Sequence, residues 1–138
     1  MEKRGSPVRR ARRALIAAFA LAGALAGTSE ACELPPGKRV ESGRLALSYR
    51  TTPSPVVVGR HFVLELAVCE KNGAPAAERV KLDARMPEHA HGMNYRPALK
   101  ALGGGRFRSE GWLFHMPGRW EFVFDLDGER LTDSVRIE

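Results

Sequence analysis

The sequence predicts an all-β antiparallel sandwich of about seven strands behind an export leader. Three observations predict it. Apolar and polar residues alternate with a period of two in segment after segment, most clearly at Trp120, Phe122, Phe124 and Leu126. Turn residues such as Asn72-Gly73, Pro117-Gly118 and Asp127-Gly128 separate these segments. No stretch after residue 31 sustains a helical period.

The chain has 138 residues, enough for one domain, and its first part is set aside from the fold. Six basic residues fall between Lys3 and Arg13, and an uncharged run of 14 residues follows from Ala14 to Gly27. Ser29 and Ala31 then supply a small-x-small cleavage pattern, so residues 1–31 are read as a signal peptide. The apolar run is shorter than the roughly 20 residues of a membrane span. Arg12-Arg13 also fits a twin-arginine leader loosely. Lipid attachment at Cys32 is disfavoured, because Ser29-Glu30-Ala31 brings a charge where such sites carry apolar residues. The expected location is periplasmic or secreted.

The whole chain carries 22 basic and 16 acidic residues. Residues 1–31 hold six of the former and two of the latter, which leaves 16 against 14 and a net charge near +2. That excess is too small for an electrostatic footprint on nucleic acid. The two cysteines, Cys32 and Cys69, form an even pair in an oxidising compartment and are expected to form a disulfide. A metal-ligand role would more often show a C-x-x-C spacing.

Residues 32–43 are rich in Pro, Gly and charge and read as an extended leader into a domain spanning 44–138. Strands are expected near 44–50 (Leu45, Leu47, Tyr49), 60–68 (Phe62, Leu64, Leu66, Val68) and 79–86 (Val80, Leu82, Ala84, Met86). Others are expected near 97–102, 106–114, 118–126 and 130–137. Gly103-Gly104-Gly105 reads as a hairpin tip. Seven short strands in this span point to an immunoglobulin-like sandwich.

After residue 31 there are four histidines (His61, His89, His91, His115) and three methionines (Met86, Met93, Met116). If the strands alternate in direction, the first, third and fifth connections lie at one end, and all seven residues fall at or near it. Thioether sulfur is a soft ligand and imidazole a borderline one, so the mixture selects copper, Cu(I) above all. Met86, His89, His91, Met93, His115 and Met116 are the candidate ligands. His89, His91 and Met93, read as an extended segment, project to one side, with His115 approaching from the neighbouring turn. Each also has a plain structural reading. Met86 is in phase with the core positions of its strand, Met116 can plug the end of the sandwich, and His61 can be a surface residue at a strand start. His89 and His91 can serve as hydrogen-bonding loop residues.

The run Met86-Pro87-Glu88-His89-Ala90-His91-Gly92-Met93, followed by His115-Met116-Pro117-Gly118-Arg119-Trp120, resembles the YtkA-like domain family, related in style to FixH-type proteins. The resemblance covers roughly residues 44–137. It implies an extracytoplasmic immunoglobulin-like sandwich without established enzymatic activity, and an association with the assembly of copper-containing oxidases.

No G-x-S-x-G elbow, H-E-x-x-H helix, phosphate-cradling loop or dinucleotide fingerprint occurs, so no enzyme is expected. Two functions remain. One is an exported copper-binding or copper-delivery domain, with a copper-receiving or membrane protein as partner and no small-molecule substrate. The other is a non-metal periplasmic protein-interaction module that docks through Tyr95, Trp112 or Trp120.

Overall fold

The computed structural model describes residues 32–73 and 77–138. The signal-peptide reading of 1–31 lies outside these residues. Among them no helix is long and apolar enough to cross a membrane.

Two antiparallel sheets face each other. The first has the order β1-β2-β3-β7-β6, built from β1 (Lys38–Glu41), β2 (Leu45–Thr52), β3 (Phe62–Glu70), β6 (Ala98–Gly103) and β7 (Arg106–Trp112). The second has the order β5-β4-β8-β9, built from β4 (Val80–Met86), β5 (His91–Gly92), β8 (Gly118–Leu126) and β9 (Glu129–Ile137). The seven expected strands are therefore present as β2, β3, β4, β6, β7, β8 and β9.

The alternating positions meet between the sheets. Leu45, Leu47, Leu64 and Val68 of the first sheet and Ala84, Trp120, Phe124 and Leu126 of the second share one buried cluster. Phe122 is its hub, with ring contacts to Tyr49, Phe62, Trp112, Phe114 and Phe124. Burial of each such side chain stabilises by about 1.5–3 kcal/mol. The Tyr49 hydroxyl donates a hydrogen bond to Asp133 of β9, a polar tie between the sheets.

Two expectations are corrected. Part of the stretch 32–43, expected as a leader, forms strand β1, with Lys38 opposite Tyr49 and Glu41 opposite Ala46. An edge strand needs backbone pairing on one side only, so it can form without an alternating apolar pattern, and Val40 alone in β1 is partly buried. Trp112, expected as an exposed docking residue, is 0 % exposed. Phe107 and Ser109 point inward, but Gly111 has φ +85°, and the alternation shifts so that Trp112 and Phe114 turn in instead.

Cys32 and Cys69 form a disulfide, with Cα atoms 5.7 Å apart and a separation of 37 residues in sequence. Closing a loop of that length stabilises by about 3–4 kcal/mol through the entropy of the unfolded chain. A thiol engaged in this bond is not free to carry a thioether-linked lipid.

Candidate functional site

Three connections gather at the end of the sandwich opposite the disulfide: 53–61 between β2 and β3, 87–97 between β4 and β6, and 113–117 between β7 and β8. Hydrogen bonds join the first of them to the chain around the third. Gly59 N–H donates to the Phe114 carbonyl at 2.8 Å, and His61 Nδ1 lies 3.3 Å from the Trp112 carbonyl.

The second connection begins with a tight reversal. Pro87 opens a single 3-10 turn, Pro87–His89, since its fixed φ suits a first helical position and its missing N–H leaves nothing unpaired. Ala90 then takes a left-handed conformation, φ 52° and ψ 34°, and turns the chain back along β4. This corrects the expectation of an extended segment. His91 comes to lie opposite Met86 and Gly92 opposite Arg85. Facing residues of an antiparallel pair share a side of the sheet, so His91 follows Met86 inward and is half-buried, whereas His89 stays exposed on the turn. Glu88 of the turn is tied to Arg119 of β8 at 3.1 Å.

The third connection delivers His115 and Met116. Phe114 stacks on Trp120 with ring centres 4.4 Å apart and planes at 18°. The Trp120 indole N–H donates to the Met116 carbonyl at 3.0 Å, closing the turn. Gly118, at φ +128°, lets β8 start against Met86, whose methyl would sit 2.7 Å from any added Cβ.

These two connections bring three imidazoles into a row. His89 and His91 have ring centres 5.7 Å apart, and His91 and His115 5.3 Å. Trp120 forms the wall behind them, edge-on to His91 at 6.0 Å and to His115 at 5.4 Å. His91 Nδ1 lies 3.1 Å from the Gly92 carbonyl, which leaves Nε2 for another partner. His115 Nδ1 is buried and has no hydrogen-bond partner. A buried ring nitrogen is costly unless water, an ion or another group satisfies it.

The sulfur residues divide. Met86 is fully buried in the core, as its phase in β4 predicts. Met93 and Met116 are partly buried and pack against the core from the two connections that carry the histidines. His61 lies at the same end but apart from the row, and its ring pairs with Tyr95 at 6.0 Å. Of the expected docking residues, Trp120 as well as Trp112 is buried, and Tyr95 is exposed at 46 %.

Among the described residues no three His, Cys, Asp or Glu side chains are grouped in a set able to hold a metal ion. The arrangement thus offers pairs of neighbouring imidazoles, on the two connections that also carry Met93 and Met116. Two imidazoles that share one metal at about 2.0 Å have ring centres roughly 5–6 Å apart, and both histidine pairs fall in that range. The sequence did not identify Trp120 as the wall of this site. Its only sign there was the spacing His115-Met116-Pro117-Gly118-Arg119-Trp120.

No protein-family model matches the chain, and no curated protein or solved structure matches it either.

Proposed function

We propose that this chain is an exported copper-binding or copper-delivery domain, with Cu(I) held at the His/Met end of the sandwich. His91 and His115 are the proposed imidazole ligands, Met93 and Met116 the thioether donors, and His89 an outer ligand for metal entering or leaving. Met86 is the floor of the site. The observation that carries the reading is the buried, unpartnered Nδ1 of His115 beside the ring of His91, at 5.3 Å between centres.

The chemistry of the donor set favours copper over zinc. A structural zinc site takes four Cys, His or carboxylate ligands, and no three such groups are clustered here among the described residues. Cu(I) accepts fewer ligands and is selected by thioether sulfur. The Gly92 carbonyl at His91 Nδ1 is the kind of outer contact that fixes the tautomer of a ligating histidine.

The immunoglobulin-like and YtkA-like readings belong to the same proposal. Taken in chain order without β1 and β5, the seven longer strands stand as first-second-fifth-fourth in one sheet and third-sixth-seventh in the other. That is the distribution of an immunoglobulin constant-type sandwich. Export is supported by the basic, apolar and small-residue pattern of 1–31, and by a disulfide of the kind that persists outside the cytoplasm. A copper-receiving protein is the proposed partner.

Thermal unfolding with Cu(I) and with Zn(II) tests the reading. A ligand at 100 times its dissociation constant stabilises by about 2.7 kcal/mol. Cu(I) is expected to raise Tm while Zn(II) at equal concentration leaves it nearly unchanged. No shift with either metal would favour the non-metal interaction module, for which exposed Tyr95 is the remaining expected contact.

A further inference from the structure

At the His/Met end the first and second connections meet on a patch that the copper site does not use. The Arg60 N–H donates to the Val57 carbonyl at 3.2 Å, which closes a turn, and the ring of His61 beside it contacts that of Tyr95, with centres 6.0 Å apart. Arg96 follows Tyr95 in the chain. Val57, Arg60, His61, Tyr95 and Arg96 are all exposed, Val57 at 39 % and Tyr95 at 46 %. Both of these large side chains stand in connections, outside the sheets whose packing buries the rest of the apolar set.

The free charge on these connections has one sign. Within 53–61, 87–97 and 113–117 the one carboxylate is Glu88, and it is bound to Arg119. Arg60 and Arg96 make no ion pair among the described residues. Glu138, the last residue, follows β9 of the second sheet, whereas the patch is carried by connections that lead into β3 and β6 of the first. The opposite end of the sandwich is different. There Arg44 is bound to Glu70 and Glu129, Lys71 to Glu41 and Arg79 to Asp127.

Open guanidinium groups beside open apolar side chains complement a bilayer with anionic headgroups. The cations pair with phosphates, a tyrosine ring sits at the headgroup boundary with its hydroxyl in water, and a valine enters beneath it. A specific protein interface takes about 20–30 residues a side. Membrane adsorption, by contrast, sums over a few cations and apolar side chains, so a patch of five side chains suits a lipid surface better. We propose that this patch docks the domain, His/Met end first, on a membrane surface rich in anionic phospholipid. None of the five is a proposed copper ligand, so the docking stands apart from the copper reading.

Co-sedimentation with large vesicles tests it, using phosphatidylcholine alone and phosphatidylcholine mixed equally with phosphatidylglycerol. The protein is expected to sediment with the mixed vesicles at low salt, to stay in solution with phosphatidylcholine alone, and to be partly released by added salt. Arg60→Gln/Arg96→Gln should weaken partitioning by roughly tenfold or more. Lys100→Gln/Arg106→Gln removes as much charge from exposed, unpaired cations off the patch and should bind nearly as the parent does. Tyr95→Trp should bind as the parent does and shift its emission to the blue on the mixed vesicles, since Trp112 and Trp120 are buried and report no change. Equal loss in the two double variants would reduce the effect to net charge and overturn the patch. Binding without a blue shift would overturn docking by this end. No binding to the mixed vesicles would overturn the membrane surface and leave the patch to an acidic protein. Cu(I) affinity of Arg60→Gln/Arg96→Gln should equal that of the parent, so the two proposals fail separately.

Discussion

Trp120 lies edge-on to His115, with ring centres 5.4 Å apart and planes at 81°. The same indole stands edge-on to His91 at 70°, stacks on Phe114 and donates its N–H to the Met116 carbonyl. One residue of β8 therefore sets the position of two loops that are distant in sequence.

Trp120→Phe keeps an aromatic ring in the core but removes the donor to Met116. Leaving that carbonyl unpaired is expected to cost about 1–3 kcal/mol, measured by urea unfolding. Cu(I) affinity should fall as well, because the turn that carries His115 loses its anchor. Copper should quench indole fluorescence in Trp112→Phe, which retains Trp120, and barely quench it in Trp120→Phe. Equal quenching in both would show that Trp120 is not beside the metal.

Gly118→Ala places a methyl group 2.7 Å from the Met86 methyl, at a residue whose φ is +128°. Strain at such a backbone position costs about 1–3 kcal/mol, while the Met86 methyl, the far end of a flexible side chain, yields at smaller cost. The variant is expected to unfold at lower urea concentration than the parent. Adding Met86→Ala should not restore full stability, since the backbone strain stays and a cavity opens in the core.

Stability should decline at both extremes of pH. The Asp127 carboxylate accepts the backbone N–H of Arg79 at 2.8 Å and of Glu78 at 3.1 Å, which holds its carboxyl below the ordinary value of 3.8. Arg130 lowers Asp125 and Arg50 lowers Glu65 in the same way. The unfolded chain takes up these protons first, so their stabilisation is present at neutral pH and is lost as pH falls below about 4. Tyr49 acts in the opposite direction. Burial, and then its bond to Asp133, push its hydroxyl well above the ordinary 10.0. The unfolded tyrosine ionises first, so this contribution is full below about pH 10 and is lost as pH rises beyond it. Tm measured against pH should show both limbs. Asp127→Asn, which tolerates the same turn, should soften the acid limb, and Tyr49→Phe the alkaline one.

The strands that bury one face were legible because each repeats an apolar residue every second position. Trp120, Phe122, Phe124 and Leu126 all point into the core, as that period requires. β1 was not legible, since backbone pairing with β2 holds it and side-chain pattern does not. The burial of Trp112 was hidden by Gly111, whose positive φ reverses the alternation within one strand. Strand parity did place the His and Met connections at one end. It could not show that His91 turns inward while His89 stays out, because that follows from the left-handed Ala90 and the two-residue pairing of β5 with β4.

A Cu(I) competition titration against a chromophoric chelator, on the parent and on His91→Ala/His115→Ala and His61→Ala, tests the copper site most directly. The double variant loses two half-buried rings that pack against Trp120 and is expected to be less stable than the parent, so urea unfolding first establishes that it is folded. One Cu(I) per chain is expected in the parent and in His61→Ala, with affinity lowered by at least a hundredfold in the double variant. Equal affinity in the parent and the double variant would contradict a copper site built on His91 and His115.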